Sequence, residues 1–214
     1  MFTGCLLIIL VVVSAVLHIR AEYRGPRWQV YLFKPLTTGL ILGVAVLGQD
    51  ASPGYKILLV TGLLFSLAGD IFLMLPEDRF LPGLAAFLTA HCFYIAAFLP
   101  GALPLRWWPA VPLIFYGLLV YRYLESGTGS MRLPVISYMM IILAMTWLAG
   151  ERWLGGSGAD TQLAAVGAVL FLLSDTLLAV GRFREGFPAL RALSLSSYFA
   201  AQLLIAGSAG FLFL

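Results

Sequence analysis

Eight long apolar runs, separated by short polar turns, limit the folds that this chain can adopt. We place the runs at residues 2–19, 30–47, 56–75, 82–99, 104–122, 133–150, 161–180 and 189–213. A helix needs roughly 20 apolar residues to cross the hydrocarbon core of a bilayer, and these runs approach that length. Continuous runs favour helices over barrel strands, which alternate apolar and polar residues.

Composition supports the same interpretation. The chain has 214 residues, of which 61% are hydrophobic and 11% are charged, whereas a soluble domain carries about 25% charged residues. We therefore predict an all-α membrane protein, with eight transmembrane helices in one bundle and a single domain over residues 1–214. Cys5 and Cys92 lie within apolar runs and predict buried thiols rather than a disulfide. The net charge of +3 gives no reason to expect nucleic-acid binding.

The basic residues predict the orientation of the bundle. Ten of the 13 lysine and arginine residues lie in the first, third, fifth and seventh turns or at the adjoining helix ends. Positive residues concentrate in cytoplasmic loops, so we expect the odd turns in the cytoplasm and both termini on the outer side. The chain would then be a multi-pass protein of the cell (inner) membrane.

A weak internal repeat links the third and seventh runs. Gly69-Asp70 and Ser174-Asp175 each place a small residue and an aspartate in a leucine-rich helix. Four runs separate the two copies, which predicts parallel 4+4 halves related by an axis along the membrane normal. The alternative is a chance similarity between two leucine-rich helices.

Ionisable side chains inside the apolar runs are the candidate functional residues, because charge in hydrocarbon is costly and needs a partner or a wet cavity. Asp70 and Asp175 both lie about 9 Å from the predicted cytoplasmic ends of their helices. Further polar side chains occupy the same half of the bundle, so we expect one pocket open to the cytoplasmic leaflet. These side chains are Lys34, His91, Tyr94, Tyr138, Ser174, Tyr198 and Gln202.

Each of these residues also has an ordinary explanation. Taken alone, Lys34 is typical of an interfacial cation. Asp70 could be the structural partner of that cation. His91 and Asp175 could each be a hydrogen-bonded residue of the core. His18 and Glu151, near the ends of their runs, are expected at the membrane surface.

Paired carboxylates suit a particular chemistry. Burial and a nearby like charge favour protonation of one carboxyl group, while the other stays ionised beside a cation. Such a pair can cleave an acetal-like or enol-ether C–O bond by acid catalysis. A metal site is disfavoured because no HxxxH, CxxC or HExxH motif occurs, and no Gly-x-Ser-x-Gly motif occurs for a serine nucleophile. We expect no metal and no cofactor.

At these residues the chain resembles the YhhN-like lysoplasmalogenase family of multi-pass membrane proteins. The resemblance covers essentially the whole chain, and its most specific part is the block from Gly69-Asp70 through Gly83-Leu84 to His91 and Tyr94. The matching stretches are Lys34-Pro35, Gly69-Asp70-Ile71-Phe72-Leu73-Met74, Gly83-Leu84, Phe87, His91, Tyr94, Pro134, Tyr138, Ser174-Asp175, Tyr198 and Gln202.

The resemblance implies hydrolysis of the vinyl-ether bond of lysoplasmalogens to a fatty aldehyde and glycerophosphoethanolamine or glycerophosphocholine. On that hypothesis Asp70 and Asp175 divide the roles of acid and carboxylate. His91 would be a proton relay or a water-orienting base, and Lys34 would hold the phosphate. Tyr94, Tyr138, Ser174, Tyr198 and Gln202 would line the substrate site. The partners would be a lysophospholipid and the bilayer. A transporter or lipid-binding protein using the same pocket, or another lipid hydrolase, is the alternative.

Overall fold

Helices joined by short turns make up the residues that the computed structural model describes, which are 2–49, 51–156 and 158–210. Within those ranges it forms eight α-helices and one 3-10 turn, Gly129–Met131, and no β-strand. The helices are α1 Phe2–Arg24, α2 Arg27–Leu47, α3 Pro53–Met74, α4 Phe80–Ala102, α5 Ala110–Thr128, α6 Arg132–Gly155, α7 Ala159–Phe183 and α8 Leu190–Gly207. The prediction of an all-α fold is confirmed. Residues 211–213 of the predicted eighth run lie outside the described ranges.

Six helical segments of the described chain are long and apolar enough to cross a membrane. The longest of them, Ala110–Gly155, spans 46 residues and contains α5, the 3-10 turn and α6. The chain is therefore a multi-pass membrane protein. The count of eight crossings, the single domain, the parallel repeat and the outward termini stay predictions.

Local contacts mark the beginning of α3 and the segment before α5. The N–H of Tyr55 donates to the hydroxyl of Ser52, just before α3 opens with Pro53. The fifth helix begins at Ala110 rather than at the predicted residue 104. The intervening segment is held against α6 instead, because the N–H of Arg106 donates to the Glu151 carboxylate at 2.9 Å.

Two helix pairs pack most closely, α3 with α4 and α7 with α8. Helix α2 lies against α1, α3 and α8, helix α6 contacts α4 and α7, and α5 packs on α6 and α7. Large aromatic side chains fill the centre, among them the fully buried Tyr94, Phe98 and Phe171.

Cys5 and Cys92 are exposed on the helix surfaces, so the prediction of buried thiols is wrong. An apolar run in a membrane protein has no reason to turn its small apolar side chains inward, because the surrounding lipid is as apolar as the core.

Candidate functional site

The first polar group of the site is built around Asp70 on α3. Its Oδ2 atom accepts hydrogen bonds from the hydroxyls of Thr38 on α2, at 2.6 Å, and Tyr198 on α8, at 2.8 Å. Lys34 Nζ lies 3.2 Å from Oδ1, close enough for an ion pair but without the alignment of a hydrogen bond. Two hydroxyl donors and one cation together offset the charge of an ionised carboxylate.

A chain of side-chain hydrogen bonds extends from Asp70 toward the centre of the bundle. Gln202 Nε2 donates to the Tyr198 hydroxyl at 3.4 Å, and Gln202 Oε1 accepts from the Tyr94 hydroxyl at 2.9 Å. Gln202 and Tyr94 are both fully buried. They therefore hold Tyr198 in place and do not face a cavity.

The second polar group is built around Asp175 on α7. The Tyr138 hydroxyl of α6 donates to Asp175 Oδ2, and His91 Nε2 of α4 lies 4.0 Å from the same oxygen. His91 is completely buried, with its ring against Phe171 and Tyr138. Neither of its nitrogens has a hydrogen-bond partner among the described residues. Buried unpaired nitrogens are rare and are candidates for function.

Aromatic rings lie between the two groups. Phe171 contacts both the His91 ring, with centroids 4.7 Å apart, and the Tyr198 ring, at 5.5 Å. Phe87 packs edge-on against Phe171 and Tyr198. The structure thus brings all the predicted residues into one region, but it divides them into an Asp70 group and an Asp175 group.

Ser174 serves the contact between α7 and α8. Its hydroxyl donates to the carbonyl oxygen of Ser194 at 2.9 Å, and the Ser194 hydroxyl donates back to the Ser174 carbonyl at 3.1 Å. The hydroxyl of Ser174 is therefore occupied by a helix–helix contact. The residue helps to hold Asp175 rather than presenting a polar group to a ligand.

A polar cavity of about 630 Å³, which we name the mouth, opens at one end of the bundle. It lies between the end of α1, the α3–α4 turn and the α7–α8 turn, and Lys34 is on its wall. Three arginines on the wall are each paired with a carboxylate. The pairs are Arg79 with Glu77, Arg182 with Asp78, and Arg191 with Glu22.

The pair of Arg182 and Asp78 joins the α3–α4 turn to the end of α7, with 2.6 Å between Nη2 and Oδ2. The hydrogen bond from Arg182 holds the pKa of the Asp78 carboxyl below its ordinary value. A lowered pKa means that the contribution of this pair to folding is present at neutral pH and is lost as the pH falls through that lowered value.

A second, narrow cavity of about 60 Å³ lies beside the Asp175 group. Asp175 and Tyr138 are on its wall, and the Asp175 side chain keeps 11% of its surface exposed. Asp70 is 1% exposed. Of the two aspartates, Asp175 is the more accessible.

The sequence prediction missed three buried polar residues. Thr38 binds Asp70, and its position one helical turn after Lys34 was a usable signal. His18 and Glu151 were expected at the membrane surface, but both are fully buried. His18 lies 3.6 Å from Glu22, and Glu151 lies 3.6 Å from Arg106. Each is buried by neighbouring helices whose positions the sequence does not reveal.

Among the described residues, no three histidine, cysteine, aspartate or glutamate side chains come together as a metal-binding group.

Comparison with known proteins places the chain in a family. It is 33% identical to "Uncharacterized membrane protein YhhN" of Escherichia coli O6:H1 over 201 residues, which is 94% of this chain and 96% of that protein. It is 40% identical to "Lysoplasmalogenase TMEM86B" of Homo sapiens over 167 residues, covering 75% of this chain and 67% of the relative. The Sus scrofa protein of the same name is 37% identical, covering 84% and 75%. No solved structure matches the chain. Residues 29–209 match the description "YhhN family", and the chain belongs to that family.

Proposed function

We propose that this protein is a membrane hydrolase that cleaves the vinyl-ether bond of lysoplasmalogens. The observation that carries the proposal is the environment of Asp175, which lines a cavity beside an unpaired, buried histidine. The names of the relatives support the same chemistry, since several are called lysoplasmalogenases. The expected products are a fatty aldehyde and glycerophosphoethanolamine or glycerophosphocholine.

The two aspartates take different roles on this proposal. Asp70 stays ionised between Lys34, Thr38 and Tyr198, and acts as a positioning residue. It holds Lys34 in an ion pair at the wall of the mouth, where the phosphate of the head group would bind. Tyr94 and Gln202 hold Tyr198 in place through hydrogen bonds and do not contact the substrate themselves.

Asp175 is the acid on this proposal. Its carboxyl proton adds to the vinyl carbon β to the ether oxygen, and the electron pair of the double bond forms the new C–H bond. The adjacent carbon and oxygen then share a positive charge as an oxocarbenium ion. The carboxylate left on Asp175 is next to that charge and stabilises it.

Water completes the reaction. It adds to the oxocarbenium carbon and gives its proton to the Asp175–His91 pair, which regenerates the acid. The resulting hemiacetal loses the glycerol oxygen, which leaves with a proton as an alcohol, and the carbonyl of the aldehyde forms. One water is consumed, and no other reactant is needed.

A pair of aspartate variants tests the proposal. The protein in lipid vesicles is given a 1-alkenyl lysophosphoethanolamine, and released aldehyde is measured. We expect Asp175→Asn to lower the rate at least about a hundredfold, the range of general acid catalysis. Asp160→Asn is the matched control on the same helix, because Asp160 pairs with Arg152 at the opposite end of α7. We expect it to keep wild-type activity.

Two results would contradict the proposal. Full activity in Asp175→Asn would remove this residue from the chemistry. Tight binding of the lipid by the wild-type protein without any aldehyde would favour a binding or transport protein.

A further inference from the structure

We propose that Glu22 on α1 binds the ammonium group of the substrate's head group and makes the mouth selective for ethanolamine over choline. The inference rests on the proposed function, in which Lys34 binds the phosphate of the same head group. A phosphoethanolamine group carries one negative and one positive charge. A site for it therefore needs a cation and an anion at a matching spacing.

Two charged side chains on the wall of the mouth are enclosed, and they carry opposite charges. Glu22 and Lys34 each keep only 10% of their side-chain surface exposed. The other charged side chains that the structure describes on this wall keep between 40% and 70%. Charges in water are screened, whereas enclosed charges interact more strongly with a ligand. Glu22 and Lys34 are therefore the charges that can distinguish one head group from another.

The register of α1 against α2 determines how far apart these two residues begin. A turn of two residues joins the helices, which therefore run in opposite directions. The Ser14 hydroxyl of α1 bonds to the Thr37 hydroxyl of α2 at 2.7 Å, so these residues are level with each other. From that level, α1 rises about 12 Å to Glu22, and α2 covers about 4.5 Å back to Lys34. Glu22 thus starts roughly 7 Å nearer the opening of the mouth than Lys34 does.

This offset suits a phosphoethanolamine group. Four bonds of about 1.5 Å each separate its phosphorus atom from its nitrogen atom. With the phosphate at Lys34, the deeper of the two residues, the ammonium group points toward the opening. Glu22 lies on that side of the cavity.

The carboxylate of Glu22 keeps acceptor capacity for a ligand. Arg191 Nη2 of α8 lies 2.8 Å from each of its two oxygens. An ionised carboxylate offers about four lone-pair sites, so one guanidinium nitrogen leaves some of them free. The Arg191 side chain is exposed, and exposed ion pairs are weak. An ammonium group can therefore share the carboxylate with Arg191 or displace it.

His18 closes the inner side of Glu22 and acts as a positioning residue. Its Nε2 atom lies 3.6 Å from Glu22 Oε1, one turn away on the same helix, and its ring packs edge-on against Phe199. The imidazole is completely buried, and neither nitrogen has a hydrogen-bond partner among the described residues. A buried ring in this place keeps water from the inner face of Glu22, so the carboxylate is left to face the mouth.

The chemistry of this wall favours a primary ammonium group. Its N–H groups can donate charge-assisted hydrogen bonds to the Glu22 carboxylate. The trimethylammonium group of choline has no N–H donor, and proteins typically bind it against aromatic faces. The ring of Phe80 on this wall already has the Arg182 guanidinium over it, 4.8 Å from its centroid.

A comparison of two head groups tests the assignment without requiring cleavage. The probe is a radiolabelled 1-O-alkyl lysophosphoethanolamine, which lacks the vinyl double bond, bound to the purified protein in detergent micelles. Unlabelled 1-O-alkyl lysophosphoethanolamine and lysophosphocholine of the same chain length displace it. We expect the wild-type protein to prefer the ethanolamine lipid about tenfold, in the range of one hydrogen bond to a charged group.

Glu22→Gln keeps the size of the side chain and removes its charge, and we expect it to bring the ratio of the two affinities close to one. Glu77→Gln is the matched control, because Glu77 is on the same wall but its side chain is 70% exposed. We expect it to keep the wild-type ratio. Glu22→Asp keeps the charge but withdraws it by one methylene group, and should give an intermediate ratio.

The ratio separates ligand recognition from folding, because a misfolded protein loses affinity for both lipids. If Glu22 served only the structure, Glu22→Gln would lower both affinities and leave their ratio unchanged. That result, or a wild-type protein that binds the two lipids equally, would overturn the inference.

The two proposals fail in different ways. A preference for the ethanolamine lipid that depends on Glu22, without aldehyde release from any lysoplasmalogen, would keep the head-group assignment and reject the hydrolase. Aldehyde release with equal binding of the two head groups would reject the role of Glu22 and leave the hydrolase.

Discussion

Lys34 and Asp70 form an ion pair whose two members are not equally enclosed. Lys34 is 8% exposed and lies on the wall of the mouth, so its flexible stem can carry the ammonium group to water. Asp70 has no such route, because its short side chain is fixed by Thr38 and Tyr198. Removing one partner of a buried pair is costly when the other partner stays buried and charged. The two single variants should therefore differ in stability.

We expect Lys34→Met to lower the free energy of unfolding by about 3 kcal/mol, because Asp70 then loses its cation in a buried site. Asp70→Asn should cost about 1 kcal/mol, since Lys34 can turn to the mouth and asparagine can still accept hydrogen bonds. The denaturation midpoints in detergent micelles measure both values, and the double variant gives the coupling between the residues.

Lys56→Met is the control for this comparison, because Lys56 Nζ donates to the carbonyl oxygen of Gly48 at the opposite end of the bundle. If Lys34→Met and Lys56→Met lowered the free energy of unfolding equally, the ion pair of Lys34 and Asp70 would not be buried as described.

At the level of helices, two glycines allow close contacts between neighbouring helices. A Cβ atom on Gly62 of α3 would lie 2.4 Å from the Tyr94 ring of α4. A Cβ atom on Gly167 of α7 would lie 2.9 Å from the backbone oxygen of Ala201 on α8. Each glycine precedes the aspartate of its helix by eight residues. This equal spacing supports the predicted parallel repeat, which stays a prediction.

We expect Gly167→Ala to destabilise the protein by about 2 kcal/mol, in the range of an overpacked core. The added methyl group would meet the backbone of α8, which cannot rotate away as a side chain can. The melting temperature in detergent micelles measures the loss. Gly39→Ala is the control inside α2, because nothing lies within 4 Å of its added Cβ. It should be neutral or stabilise slightly, since alanine favours helix more than glycine. Equal melting temperatures for the two variants would argue against close α7–α8 packing.

At the level of the whole molecule, the predicted orientation decides which leaflet supplies the substrate. The mouth is formed by the odd-numbered turns, which the basic residues predict to be cytoplasmic. The other end of the bundle carries the exposed Trp107 and Trp108, as expected for residues at an interface. A lysophospholipid would then enter from the cytoplasmic leaflet.

Single cysteines test this orientation in a background with Cys5→Ala and Cys92→Ala. We expect a membrane-impermeant thiol reagent to label Leu105→Cys in intact cells and to label Glu77→Cys only after the membrane is opened. Both positions are exposed at the ends of the bundle, so access to the reagent depends on the side of the membrane. Labelling of Glu77→Cys in intact cells would show that the orientation is the opposite of the predicted one. The substrate would then enter from the outer leaflet.

Much of the fold was predictable because each helix in a bilayer must satisfy its own backbone hydrogen bonds. The apolar runs therefore predicted the helices, although α5 begins later than expected because Arg106 is bound to Glu151. For the site, the sequence predicted which residues take part but not how they are arranged. Burying charge in a membrane is costly, so ionisable residues inside apolar runs stand out, as Lys34, Asp70, His91 and Asp175 do. Buried positions such as His18 were missed, because periodicity does not reveal which apolar face meets another helix rather than lipid.

The amino-acid sequence is enough to identify a helical membrane protein with acidic, basic and imidazole groups inside its apolar segments. Length and hydropathy suffice for that, because they are local properties of each run. The packing of the helices was needed to show that Asp70 pairs with Lys34 and that Asp175 lies beside His91. It also decided that aromatic rings lie between these groups and that a narrow cavity reaches only Asp175. Those contacts join residues far apart in the chain, and helix packing alone brings them together.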